Sequence, residues 1–438
     1  MSDVKGWSHE QVRNVIVHHA SGPSPTCDER PIANSVEWGL LKTTAVTWNG
    51  WNASAHKVPP EQFWGKENLV VRTGDVLITK AGPRNRCGVT VYVTSTPPRL
   101  MVSGKMILLR PDAKKINAVV LAGMLATEDC QRFIDSRTTG MADAQLNFTN
   151  ELLLDTEITI PPLPEQRKIA RILTTVDHLI EQTEALIEKY KSIKQGMMHD
   201  LFTRGVDSTG QLRLPYEDAP HLYKQSSLGW IPKEWETTTL ASVADVGRGK
   251  FTVRPRNDPR YYGGPYPFIQ TGDVTSCIGR ELTSYSQTLN HLGTTVSKVF
   301  PKGTILVTIA ANIADTAILG LPMYLPDSIV GVVPHTMQDT RYIELCIRRN
   351  KSELDAKAPQ SAQKNINLED LRPLLISWPS DSERKRLSDK YESIDSALVR
   401  EEQQVEKMRT IKTGLMQDLL TGKVRVNVDE AEEVTADV

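Results

Sequence analysis

The sequence predicts an α+β protein in which two β-rich modules, arranged about a pseudo-twofold, are separated by two long helices forming an antiparallel coiled coil. Three observations predict it. Residues 144–206 align without a gap on residues 362–424 at a constant offset of 218, Ala144 falling on Ala362. Each copy of this repeat carries a long helical stripe, and each is preceded by short β-rich runs broken by turn signals. An internal copy held in one register means a molecule built from two equivalent halves.

The first module, residues 1–160, contains runs such as Val70–Thr79 and Lys105–Leu109, separated by Gly-Pro, Pro-Pro and Asn-Gly turns. Pro161-Pro162-Leu163-Pro164-Glu165 then closes a strand and opens the first long helix, residues 161–203. Proline is tolerated in a first helical turn, and a carboxylate suits the positive end of the helix dipole. Ile169, Ile172, Val176, Leu179, Leu186 and Ile193 alternate in a heptad stripe interrupted at Thr183. A helix of about 40 residues spans roughly 60 Å. Residues 204–229 form a linker rich in Gly, Ser and Pro. The second module, residues 230–378, repeats the first more loosely, Phe300–Thr308 resembling the run at 70–79. The second helix, residues 379–421, carries Leu387, Ile394, Leu398, Val405 and Met408, with Glu401 and Gln404 breaking the stripe. No helix this long buries a narrow stripe alone, so the two are expected to pair; homodimerisation, or folding of each helix onto its own module, are the alternatives. Residues 422–438 read as an acidic tail without periodicity, and disorder is expected.

Composition excludes several classes. With 438 residues, 39% hydrophobic and 24% charged, the chain is of ordinary globular type, and its net charge of −1 neither demands nor excludes nucleic acid. No apolar run approaches the ~18 residues of a membrane span, and the first residues lack the apolar core of a signal peptide, so a cytoplasmic location is expected. The five cysteines are scattered without metal-ligand spacing, which predicts free thiols. His18 and His19 have no third ligand nearby in sequence. There is no phosphate-binding glycine loop and no methyltransferase Asn-Pro-Pro-Tyr-type motif; Asp381 and Glu383 echo a nuclease pattern but sit where a helix start favours acid. Neither a catalytic residue nor a metal site is predicted.

What the sequence does offer is contact with a polyanion. Arg248, Lys250, Arg254, Arg256 and Arg260 are interleaved with Phe251, Tyr261 and Tyr262 in a Gly/Pro-rich stretch. Guanidinium groups make bidentate contacts to phosphates or guanine edges. In the first module Lys80, Arg84 and Arg86 share one loop, and Trp48 and Asn49 occupy an amide-rich turn. A solvated charged loop is the competing explanation for each.

These pieces together resemble the DNA-specificity subunit of type I restriction–modification systems. The resemblance rests on Pro161–Ala170 leading into a helix that closes on Gly196–Gly205, on the entry Tyr223–Glu236, and on Ser361–Asn367. It implies two target-recognition domains, each reading one half of a bipartite, asymmetric double-stranded DNA site, with the helices setting the gap. It implies methyltransferase partners, two of them, and a motor/nuclease subunit in the full complex. AdoMet, ATP and Mg2+ would sit on those partners and no cofactor on this chain, which would itself be non-catalytic. A subunit of a methyltransferase-only or type IIB-like system remains an alternative, as does a coiled-coil protein-interaction scaffold. The chain departs from the family pattern at Trp378–Glu383, which lacks the full proline-rich motif, and at its first residues.

Overall fold

The computed structural model describes residues 4–140, 145–310, 312–357 and 365–428. Ala144, residues 361–364 of the repeated motif and residues 429–438 of the acidic tail lie outside them. The chain divides into two compact units, Met1–Ala185 with Glu401–Val438, and Leu186–Arg400. The long helices run over Leu163–Thr203 and Asp381–Leu420, so each contributes one half to each unit.

The first unit is organised by an antiparallel sheet in the order Ile16–Ala20, Met106–Pro111, Val76–Thr79, Thr90–Tyr92. Successive strand residues face opposite sides, and here both sides are covered. Val76, Ile78, Ile107 and Leu109 pack on the Ala118–Leu125 and Glu128–Asp135 helices and on Ile169, Leu173, Leu419 and Leu420 of the long helices. Leu77, Met106, Leu108 and Val91 face a second core with Leu40, Leu41 and Met101 of a smaller sheet. This two-sided burial explains the continuous apolar run at 76–78, each side chain contributing about 1.5–3 kcal/mol.

The second unit repeats the plan. Its five-stranded sheet runs Ala244–Arg248, Ile329–Pro334, Ile305–Thr308, Thr316–Leu319, Glu281–Leu282. Ile305 and Val307 face a core with Tyr342, Ile343, Ile347, Phe202, Leu387 and Tyr391, while Leu306 faces another with Phe300, Met323 and Leu325. Gly74 (φ +88) and Gly303 (φ +82) make the left-handed turn before the equivalent strands Val76–Thr79 and Ile305–Thr308.

Within each unit the two long helices run antiparallel. In the first, Asp177 pairs with Lys412 at 2.5 Å and Glu184 with Arg409 at 2.6 Å. In the second, Lys194 pairs with Asp395 and lies over the Tyr391 ring. Asp177 and Lys194 are the repeat equivalents of Asp395 and Lys412, so one ion pair is built twice.

The seam differs from the stripe expected in the first helix. Ile169, Leu173, Ile180, Thr183 and Ile187 are buried, whereas Leu179 (46% exposed) and Ile193 (40% exposed) face solvent and Ile172, Val176 and Leu186 are half-buried. Ile172-Leu173, Leu179-Ile180 and Leu186-Ile187 are adjacent apolar pairs, so the helix carries two parallel stripes and periodicity alone does not choose between them. In the second helix Leu387, Leu398 and Val405 are buried as expected, with Ile394 and Met408 half-buried; Tyr391 joins them.

Two segments outside the modules and helices are held by specific contacts. The 204–229 stretch is pinned by Arg213 on Glu383, by the Tyr216–Trp230 stack at 4.3 Å, and by pairing of Tyr223–Ser226 with Gly229–Pro232. Residues 422–428 of the expected disordered tail are ordered: Arg425 donates to both oxygens of buried Glu165 at 2.7 and 2.8 Å, and Val426 packs on the first core. A buried carboxylate needs a cation, and this segment supplies it.

Candidate nucleic-acid interface

In each unit a loop leaves the central strand and is closed by one threonine hydroxyl. Thr79 accepts from the Val89 N–H at 3.1 Å and donates to the Val89 and Arg86 carbonyls; Thr308 accepts from the Asp315 N–H at 3.1 Å and donates to the Asp315 and Asn312 carbonyls. The Asn that ends each copy of the repeated Ala-Gln-x-Asn motif lies at the root of its loop, Asn147 pairing with Ala81 and Asn365 bridging Ala310.

The first loop carries Lys80, Arg84 and Arg86, and the structure gives them different work. Lys80 donates to Ser21 Oγ and Asn150 Oδ1, both at 3.1 Å, and burial lowers its pKa. Arg86 donates to the Val46 carbonyl at 3.1 Å and to the Thr43 carbonyl, clamping the base of the Val46–Thr47/Gly50–Trp51 hairpin. Trp48 and Asn49 form the tip of that hairpin, and Trp48 is 52% exposed. Arg86 therefore brings the loop and the hairpin together. Arg84 pairs with Asp135 across a solvated surface, a pairing weak enough to be exchanged for another anion.

In the second unit the arginines converge on a residue that sequence reading missed. Arg248 Nε donates to the Asp327 carbonyl; Arg254 Nη2 and Arg256 Nη2 reach its carboxylate at 3.1 and 2.8 Å. Arg254 also donates to the Phe251 and Val253 carbonyls at 3.0 and 2.7 Å. Lys250 is exposed, its N–H bonded to the Leu325 carbonyl at 2.9 Å. Arg260 stands apart, paired with Asp258 at 2.6 Å, and holds that carboxyl below its ordinary range. Of the interleaved aromatics, Phe251 is buried with Phe268 and Leu289 in a small core, and Tyr261 and Tyr262 pack edgewise or tilted on it. These rings serve as the loop's foundation. The only trace of Asp327 in sequence is an acid in a Pro326-Asp327-Ser328 turn, 73 residues from Arg254.

Of the two residues that echoed a nuclease, Asp381 is exposed and pairs with Arg384, and Glu383 is buried at a first helical turn, as is its repeat equivalent Glu165: Glu165 accepts from Trp7 Nε1 at 3.1 Å and from Arg425, and Glu383 from the Val206 N–H at 2.9 Å and from Arg213. His18 bonds the Asn68 carbonyl. Among the described residues no cluster of three or more His, Cys, Asp or Glu is placed to hold a metal, and no helix is long and apolar enough to cross a membrane.

Two homologous units, each with a two-faced sheet, a differently furnished basic loop and a share in the same helix pair, define a duplicated recognition protein. The family model described as "Type I restriction modification DNA specificity domain" matches residues 64–191 and 232–407. The chain belongs to that family. It is 25% identical over 371 residues to the putative type I restriction enzyme MjaX specificity subunit of Methanocaldococcus jannaschii, covering 82% of this chain and 80% of that one. It is 30% identical over 194 residues to the type I restriction enzyme EcoEI specificity subunit of Escherichia coli, covering 44% of this chain and 32% of that one. The fold is like that of the S subunit of a type I restriction-modification system from M. genitalium (TM-score 0.58, 13% identity, 96% of this chain and 97% of that one).

Proposed function

We propose that the chain is the DNA-recognition subunit of a type I restriction–modification complex and performs no chemistry itself. Each unit reads one half of a bipartite, asymmetric double-stranded site, and the helix pair sets the gap and docks two methyltransferase subunits. AdoMet, ATP and Mg2+ belong to the methyltransferase and motor/nuclease partners, and the assembly works in the cytoplasm. The observation that carries this reading is a single frame made twice, with the Glu165 and Glu383 clasps, the duplicated Asp–Lys pair and the threonine-closed loops, bearing different exposed cations, Arg84 in the first unit and Lys250, Arg254 and Arg256 in the second. Equal frames with unequal loops read unequal half-sites at one fixed separation.

Mapping methylated bases across the genome of a cell carrying this chain and its partners tests the reading. The expected result is one motif of two unlike parts with an invariant gap. A single uninterrupted motif rejects it. Binding of the assembled complex to duplex is expected to weaken steeply with salt as counterions are released; salt-insensitive binding would favour a protein scaffold instead.

A further inference from the structure

We infer that Arg256 is the base-reading side chain of the second unit and that Asp327 is the residue positioning it. The inference rests on the DNA-recognition reading above. Arg254 spends its donors on the Phe251 and Val253 carbonyls and on Asp327 Oδ2, so it acts as a staple that fixes the loop on itself. Arg256 is held differently. Its backbone carbonyl accepts from the Tyr262 hydroxyl, and its guanidinium is anchored to the Asp327 carboxylate through Nη2. Among the described residues no hydrogen bond is made by its Nε or Nη1, and its side chain is 52% exposed. Nη2 carries a second hydrogen, so beside its single bond to Asp327 it can still form a two-donor fork with Nε or with Nη1, the geometry that matches guanine O6 and N7. Asp327 is only 26% exposed, and its own carbonyl is held by Arg248, so it is a fixed anchor. Its charge also matters. It reduces the net charge of the Arg254–Arg256–Asp327 group to one positive, which limits indiscriminate attraction to phosphate while preserving the directed fork.

The test uses the chain assembled with its methyltransferase partners. Methylation rates are compared on the cognate duplex and on duplexes with single changes in either half. Arg256→Ala and Asp327→Asn are each expected to reduce discrimination about tenfold or more in the same half-site and to leave the other unchanged. Asp327→Glu recovers most of it, while Arg256→Lys does not, because an ammonium cannot make the fork. Asp327→Asn is further expected to retain or strengthen binding to unrelated duplex and to steepen its salt dependence by about one phosphate contact, which a merely structural defect would not do. Parental discrimination in Asp327→Asn, or equal loss in both halves, overturns the positioning role. Parental discrimination in Arg256→Ala overturns the whole proposal while leaving bipartite recognition intact, and absence of any bipartite methylation by the parent complex refutes the underlying reading instead.

Discussion

Glu383 is an ordinary helix-start acid by sequence, since the dipole favours a carboxylate there whether or not it is solvated. The structure buries it and gives it Arg213 and the Val206 N–H. Removing one member of a buried pair strands the other, at about 3–5 kcal/mol. Glu383→Ala is therefore expected to lower the thermal midpoint of the purified chain sharply. Asp381→Ala, removing a 94% exposed partner of Arg384, should shift it little. Burial also sets a pH dependence in the same core: it pushes the Cys346 thiol up to about 12 and the Tyr342 hydroxyl well above its usual value. Both stay neutral in the folded protein, whereas the unfolded thiol ionises from its ordinary 9.0 upward. Their contribution is thus complete below pH 9 and declines as pH rises toward about 12, because the unfolded state releases the proton first. Denaturant midpoints should fall over that window, and Cys346→Ala should flatten the fall. At this scale the arginines at 248–260 of the second unit were legible in sequence, but their work was not. Asp327, which organises them, is distant in the chain and belongs to no local pattern.

The helices show a different limit. Their existence, length and pairing follow from repeat and periodicity, because a 40-residue amphipathic stripe has few other fates. Which stripe is the seam did not follow. Leu179 and Ile180 are equally apolar, and the choice of Ile180 depends on side chains from the partner helix. The ion pairs record that choice. Asp177→Lys is expected to destabilise the first unit by roughly 1 kcal/mol, and adding Lys412→Asp should recover most of it, since the pair is partly shielded and merely reversed. A double-mutant cycle in urea measures the coupling; a value near zero would show the pair to be incidental. The contacts of the linker and of the start of the tail escaped the sequence for a related reason. Composition reports the lack of a local pattern, and both Arg213 and Arg425 are held by distant buried carboxylates.

For the whole molecule, the sequence order of module, helix, module, helix concealed that each compact unit takes half of both helices. Antiparallel pairing produces that exchange, and pairing partners more than 200 residues apart cannot be read from adjacency. If the helix pair sets the gap between half-sites, a matched seven-residue insertion in both helices adds about 10 Å, close to three base pairs. The methylated motif should then keep both half-sites and widen its central gap by about that number. A motif with its original gap would show that the helices do not measure distance.

The threonine closures carry a consequence for how such a protein changes over generations. One hydroxyl bridges ten positions from Thr79 to Val89 and seven from Thr308 to Asp315, yet both leave the same strand geometry behind them. What the two fastenings enclose is unlike: the first span carries exposed Arg84 and Asn85, whereas the second tucks Ile309, Ile313 and Ala314 into the hydrophobic layer beneath. Exposed positions such as Arg84 can therefore be exchanged without disturbing that layer while the buried ones cannot, and a lineage is free to rewrite that part of its address while inheriting its chassis unchanged.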